Sequence, residues 1–504
     1  MCKPLVVLFF SLLSCFGGNA GVFPQEAARL NYRLIPFSFP ATGENVEYTL
    51  QIAAGYFNNE DSFSKSVIDN IVTKQNRLIA EVPRFGQQYT WRVLVSGSHN
   101  NPVHFTHFTT SVVPFVDSAK TRLRINVTAE KYKSNYVFVD GSKALYDMQG
   151  NPVWYMPDFA GIVGNTASRD LKLSCKQTIT ALYEGEAFEL SYEGNILWKG
   201  PDGMHEPRND TFQMYHHEFT RMSNGHYMLL GMLPVVKPAK DTASVARNRD
   251  AAHNRQPGII KPEVGTIIEY NESGRKVWEW SSASYLNTID PGMLKKPAVH
   301  PQNDAHENSF FFDEKRKCIY VSFRDLSQVI RISYPAGDLL NIYGNATLSG
   351  NPFWDTLFCG QHSVSISEDG YLCLFDNGCD LSVQPKALIL DQPLNQRDSL
   401  REVWQYICPV TITDTSRHAV KGQMVPYTTG GNVLQLRDKD VFISTCTPYN
   451  RFFIVSESKN ILWEAALEKR NSPLDKWSPL VSFKGSIITR QQLESLIWQG
   501  VSDK

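Results

Sequence analysis

The chain has 504 residues, 42% hydrophobic and 20% charged, an ordinary globular composition rather than a disordered or fibrous one. A formal net charge of −1 and the lack of any basic stripe leave no electrostatic case for nucleic acid as a partner. Aromatics at 12%, with 32 Gly and 27 Pro punctuating short segments, favour an all-β chain over a helical one.

The first 21 residues, "MCKPLVVLFFSLLSCFGGNAG", carry Lys3 and an apolar run from Leu5 to Leu13, too short to span a bilayer and of the pattern of an export signal. Two processing readings stand side by side: cleavage after the small residues near Gly18 to Gly21, or a lipoprotein-type "LLSC" leaving a lipid anchor on Cys15. Either reading predicts a secreted or periplasmic protein. Residues 22–118 follow as a unit of short alternating segments, "VEYTLQIAA", "QNRLIAEV", "YTWRVLVSG" and "HFTHFTT", the pattern of a small β-sandwich.

Residues 119–504 have a different rhythm. A hydrophobic strand, a turn and a tryptophan strand recur at Trp154, Trp198, Trp278, Trp404 and Trp463, and a further unit places Leu340 or Ile342 where the others have Trp. Between them lie a second kind of strand pair, "HHEFTRMSNGHYMLL", "HENSFFFDEKRKCIYVSF", "QHSVSISEDGYLCLFD" and "QMVPYTTGGNVLQLR". Such alternation predicts a six-bladed β-propeller with four strands per blade. The chain closes on "TRQQLESLIWQG", where Thr489 and Gln492 form a capping box ahead of a short helix. Seven cysteines lie beyond the N-terminal segment, and a local Cys373–Cys379 bridge is an open option in an oxidising compartment.

In a propeller the innermost strands line a central channel, so residues at their starts converge although far apart in sequence. Gly225 follows His217 by eight residues and Gly370 follows His362 by eight, which argues that the two histidines are geometrically equivalent. His306 and Gln423 take the comparable places in the other units, and Arg324 falls at or just beyond the end of the strand after His306. Tyr215 and His216 flank His217, and His216 points away if the strand is regular. Asp304, Glu307, Asn308 and Ser309 are candidates to orient ring nitrogens, whereas Asp376 and Asn377 shape a tight turn. A lone strand histidine is usually structural; three at repeated positions argue for a site. Such a set could bind zinc, or handle an anionic ester with one imidazole as nucleophile. Arg324 favours the anion, because a guanidinium sits poorly beside a metal cation and grips sulfate or phosphate through parallel hydrogen bonds.

The motifs "HHEF…SNG", "HENSFFF…VSFR" and "GQHSVSI..DG…LFDNG", with the tryptophan-ending units, resemble the bacterial arylsulfate sulfotransferases over roughly residues 30–470. That resemblance implies a β-sandwich followed by a six-bladed propeller, in an enzyme passing a sulfuryl group from an aryl sulfate ester to a phenol. It implies no nucleotide sulfate donor, metal or other cofactor, and dimers are common in the family. His362 matches the histidine that carries the group as a transient sulfohistidine. His217, His306 and Arg324 match its other site residues, with Glu218 where the family usually has aspartate. A family threonine has Thr428 or Thr429 as candidates. The residues leave open a non-catalytic ligand-binding propeller, a metal-dependent hydrolase or lyase, and an enzyme of the same scaffold acting on another ester.

Overall fold

A computed structural model describes residues 21–43, 45–97, 104–111, 120–157, 168–183, 185–201, 214–234, 263–286, 288, 306–324, 326–344, 357–378, 384–393, 400–410, 417–420, 423–426, 430–445 and 449–502. The N-terminal segment with Cys15, the loops 236–262 and 289–304 with Asp304, Cys379, Cys446, Thr428 and Thr429 lie outside the described residues. The chain divides into two compact units between Ser111 and Val112. No described helix is long and apolar enough to cross a membrane.

The first unit contains a five-stranded sheet, Ala28–Leu30, Thr106–Thr110, Gln88–Val95, Tyr48–Ala54 and Val67–Thr73 in spatial order, and a two-stranded sheet of Leu34–Ser38 with Arg77–Glu81. The sheets meet through Phe37, whose ring lies 5.2 Å from that of Trp91 and 6.1 Å from that of Phe108.

The second unit is built almost wholly of antiparallel sheets, six of them with four or more strands. From inner to outer strand, the first is Gly485–Ile488, Tyr136–Val139, Ala144–Asp147 and Pro152–Tyr155; the second is Arg169–Leu173, Ile179–Tyr183, Glu186–Leu190 and Ile196–Lys199. The third is Met214–Arg221, Tyr227–Pro234, Glu263–Tyr270 and Lys276–Ser281; the fourth is Glu307–Asp313, Cys318–Phe323, Gln328–Ser333 and Leu339–Gly344. The fifth is His362–Ile366, Leu372–Asp376, Lys386–Asp391 and Arg401–Ile407. The sixth, Asn432–Gln435, Val441–Ser444, Arg451–Val455 and Ile461–Lys469, gains Ser478–Pro479 and Thr121–Val127 at its outer edge. The innermost strand of each sheet touches that of the next. Asn432 and Gly485 then close the circuit, exchanging Nδ2→O (2.9 Å) and N→Oδ1 (3.1 Å) hydrogen bonds. The first sheet therefore takes its inner strand from the far end of the chain.

Each outermost strand carries a one-residue register shift, and the residue just after it is Trp154, Trp198, Trp278, Asn341, Trp404 or Trp463. Four of these indoles donate to a turn carbonyl of the following sheet: Trp154 to Tyr192, Trp278 to Pro335, Trp404 to Glu457 and, across the closure, Trp463 to Met148. Trp198 instead stacks on Tyr227 at 3.7 Å. In the fourth sheet the equivalent residue is Asn341, not Leu340 or Ile342, and its Nδ2 donates to Pro393 O at 2.9 Å. Five of the six places use a donor to the next sheet, so hydrophobic analogy with tryptophan points one residue away from Asn341. Gln423 needs a second correction, for Gln423–Pro426 belongs to a separate hairpin with Arg417–Val420. Of the cysteines, Cys373 is a buried free thiol, so the Cys373–Cys379 bridge does not form; Cys359 is disulfide-bonded. The closing helix, Arg490–Ser502, has the reciprocal cap read from the sequence, Thr489 N to Gln492 Oε1 and Gln492 N to Thr489 Oγ1.

Trp463 is fully buried and Trp278 only partly. Trp463→Phe strands the Met148 carbonyl at the closure, a loss of about 1–3 kcal/mol. Calorimetry is expected to show a lower melting temperature for Trp463→Phe than for Trp278→Phe.

Candidate active site

The inner strands turn through a common device. In the second, third and fifth sheets the amides of Ser174, Met222 and Ser367 bond the carbonyls of Thr178, His226 and Tyr371, and a left-handed residue follows three positions on: Gln177 (φ 59°), Gly225 (φ 94°) and Gly370 (φ 89°). Lys439 (φ 62°) does the same after Leu436 in the sixth sheet. Eight residues before each of these lie Arg169, His217, His362 and Gly431. The equivalence inferred for His217 and His362 therefore holds, and it extends to Arg169 and Gly431. In the fourth sheet the equivalent residue is Asn308, two positions after His306. The marker is Ser309, whose Oγ accepts the amide of Val364 (3.0 Å) as Asp170 Oδ2 accepts that of Phe219 (2.8 Å).

At these positions every one of the second to fifth inner strands bulges, and Asp170, His217, His306 and Ser363 are left-handed at or beside the bulges. A bulge re-aims side chains that a regular strand would alternate. His216 consequently does not point away from His217: their Nδ1 atoms are 2.6 Å apart. One of the pair donates and the other accepts. His216 Nε2 is buried with no hydrogen-bond partner among the described residues. A buried orphan N–H costs more than an orphan lone pair, so the His216 proton belongs on Nδ1, donated to His217, and His217 carries its own proton on Nε2.

The structure gathers the three imidazoles named from the sequence. His217 lies 5.4 Å from His306 and 5.3 Å from His362, ring centre to ring centre. Arg324, itself buried, follows the strand paired with that of His306, its amide donating to His306 O at 3.1 Å. His362 is buried, its Nδ1 is 2.8 Å from Ser363 Oγ, and the Gly431 backbone lies beside its ring.

Neighbouring residues hold this arrangement. Asn308 Nδ2 donates to Gln361 O (2.7 Å), and Gln361 Nε2 reaches Ser322 Oγ, Phe323 O and Gln328 O. Asn308 and Ser309 thus fix the strand that carries His362 through its backbone, rather than orienting ring nitrogens as expected. Asp376 accepts the amides of Cys359 and Gly378, and Asn377 donates to Gly360 O and Gly430 O, both structural roles. Tyr215 is buried, its hydroxyl donating to Pro201 O at 2.8 Å and lying 3.0 Å from Tyr270 Oη. Beneath His217 sits a network invisible in the sequence: Lys484 Nζ donates to His217 O (2.9 Å), Asp170 (3.1 Å) and Glu218 (2.6 Å), and Lys172 bridges the same two carboxylates. Burial disfavours both lysine charges, but Asp170 and Glu218 outweigh it and hold both lysines above their usual range.

The electrostatics favour neutral imidazoles. Burial is the main cause: it pushes His216 down to about 3 and His217 and His362 well below the ordinary histidine value. Positive charge adds to it, from Lys484, Arg324 and Arg169 at His362, and from Arg169 and the other imidazoles at His217. Among the described residues no group of His, Cys, Asp and Glu is arranged to hold a metal ion.

A family model, Arylsulfotransferase (ASST), matches residues 121–397, more than half of the chain. No curated protein matches. Among solved structures, a protein of unknown function from Bacteroides caccae shares 12% identity at a TM-score of 0.37, covering 73% of this chain and 99% of its own. The periplasmic gluconolactonase of Pseudomonas aeruginosa shares 10% identity at a TM-score of 0.28, covering 86% of this chain and 99% of its own. Likeness at this level carries no argument about activity.

Lys484→Met leaves two buried carboxylates with one lysine and frees the His217 carbonyl. Unpairing a buried network of this kind costs about 3–5 kcal/mol. A correspondingly lower denaturant midpoint is expected for the variant, and Lys484→Arg should recover part of the loss.

Proposed function

The chain belongs to the arylsulfotransferase family, and from that premise we propose that it moves a sulfuryl group from an aryl sulfate to a phenol in two displacements through His362. On this reading the six large sheets are the six blades of a propeller whose inner strands present the site. The observation that carries the proposal is the buried, neutral His362 beside two further imidazoles and Arg324.

With its proton on Nδ1, where Ser363 Oγ accepts it, His362 has its lone pair on Nε2. That lone pair attacks sulfur, and the sulfur–oxygen bond to the aryl group breaks with its electrons leaving on the phenolate oxygen. The Nε2–H of His217 stands to donate to this oxygen as charge develops. Arg324 and His306 hold the sulfuryl oxygens. The sulfurylated ring is cationic, and Ser363 Oγ, accepting the Nδ1 proton, supports that charge. A second phenol then attacks sulfur from the side the first vacated. The acceptor reacts as its phenolate, held by the His217 Nε2–H, its proton balancing the one taken up by the departed phenolate; the nitrogen–sulfur bond breaks and its electrons return to Nε2. Water reaching the intermediate would turn the transferase into a sulfatase, so exclusion of water is part of the function.

Incubation with an aryl sulfate and no acceptor is expected to add one sulfuryl group to the intact mass of the wild type and none to His362→Asn. Phenol release that does not depend on His362 would contradict the route. Because the His362 pKa is lowered, the ring stays neutral as pH falls through the ordinary histidine value near ~6.5. The pH profile of kcat/KM should therefore stay level through that region and fall only below it; a tenfold drop already between about pH 6.5 and 5.5 would count against a neutral His362 nucleophile.

A further inference from the structure

We propose that Arg169 is a second guanidinium of the substrate site, holding sulfuryl oxygens from the side opposite Arg324; this rests on the sulfuryl-transfer reading above. Arg169 occupies the same repeat position as His217 and His362, eight residues before the left-handed turn residue of its strand. Its sheet, the second, lies on one side of the His217 sheet, and the sheet carrying Arg324 lies on the other. An anion in front of His217 would thus meet a guanidinium from each flank.

The contacts of Arg169 favour a ligand over a structural role. Its guanidinium makes no hydrogen bond or ion pair among the described residues. It lies over the Phe483 ring at 4.5 Å, a contact that leaves the N–H edges of the planar group unspent. The carboxylate whose charge it feels, Asp140, has its oxygens committed to Ser482 Oγ (2.7 Å) and to the amides of Phe483 (2.9 Å) and Lys484 (2.9 Å). A short path of contacts leads from Arg169 to the nucleophile: Phe483 O accepts the Gly431 amide at 2.7 Å, and the Gly431 backbone lies beside the His362 ring. A half-buried guanidinium with no anionic partner, at the rim of a site for an anionic ester, is a place built for that ester's oxygens. Family resemblance pointed to one arginine; the repeat geometry supplies the other.

The test is binding of inorganic sulfate and of phenyl sulfate to the full-length wild type and to Arg169→Met and Arg169→Lys, by calorimetry and by thermal shift. Arg169→Met should bind both ligands about ten- to a hundredfold more weakly. Arg169→Lys should fall between, because it keeps the charge and loses the planar fork. If the Met variant is misfolded, the Lys variant alone decides, by weakened or unchanged sulfate binding. Wild-type affinity for sulfate in the folded variants would overturn the proposal and leave sulfuryl transfer untouched. A wild type that binds sulfate through Arg169 yet transfers no sulfuryl group would support the anion site while removing the proposed reaction.

Discussion

Three imidazoles can share one buried space only if they do not share one charge. Two protonated rings 5.3 Å apart would repel by roughly 3 kcal/mol at an effective dielectric constant of 20. Lys484, Arg324 and Arg169 add further positive charge around His362. Burial and this field act in one direction and keep His217 and His362 neutral. A neutral imidazole is the form that has a lone pair to offer to sulfur. The anionic ester that the cations attract would in turn offset their field, easing proton movement once substrate is bound. The site is thus poised for a ligand of negative charge, and the chemistry proposed for His362 follows from that poise.

The scaffold supplies the crowding. One strand position, repeated around the second unit, bears Arg169, His217, Asn308, His362 and Gly431, and each residue serves a different purpose. Histidine offers nitrogen lone pairs, Asn308 ties the strand of its neighbour, and Gly431 leaves its backbone against the His362 ring. A Cβ on Gly431 would come within 2.3 Å of the Phe375 ring, so no side chain fits there. The bulges supply the aim, turning His216 and His217 toward each other in a strand where alternation would part them. At the outer edge a second repeated position holds neighbouring sheets together, mostly through indole N–H groups.

Much of this was legible in the sequence. The spacing of eight residues between His217 or His362 and a turn glycine identified equivalent places, because a left-handed turn selects glycine strongly enough to be seen. Arg169 escaped notice because its turn uses Gln177, a left-handed residue that does not advertise itself. Asn341 is hard to read from the sequence because it matches tryptophan in its donor and not in size or hydrophobicity. His306 converges on the other two histidines without sharing their repeat position, which belongs to Asn308. The network of Lys484, Lys172, Asp170 and Glu218 joins the first three sheets through residues up to 314 positions apart, and no local pattern announces it. Gln423 had the correct type of neighbours but belongs to a hairpin outside the large sheets.

The central claim is that His362 is a neutral imidazole in the resting protein. Nitrogen-15 histidine NMR, with the His362 signal assigned by its loss in His362→Asn, measures this directly. The account predicts a His362 resonance that stays in the neutral form as pH is lowered from 8 through the ordinary histidine range. A titration midpoint near ~6.5, the value of an unperturbed histidine, would contradict it.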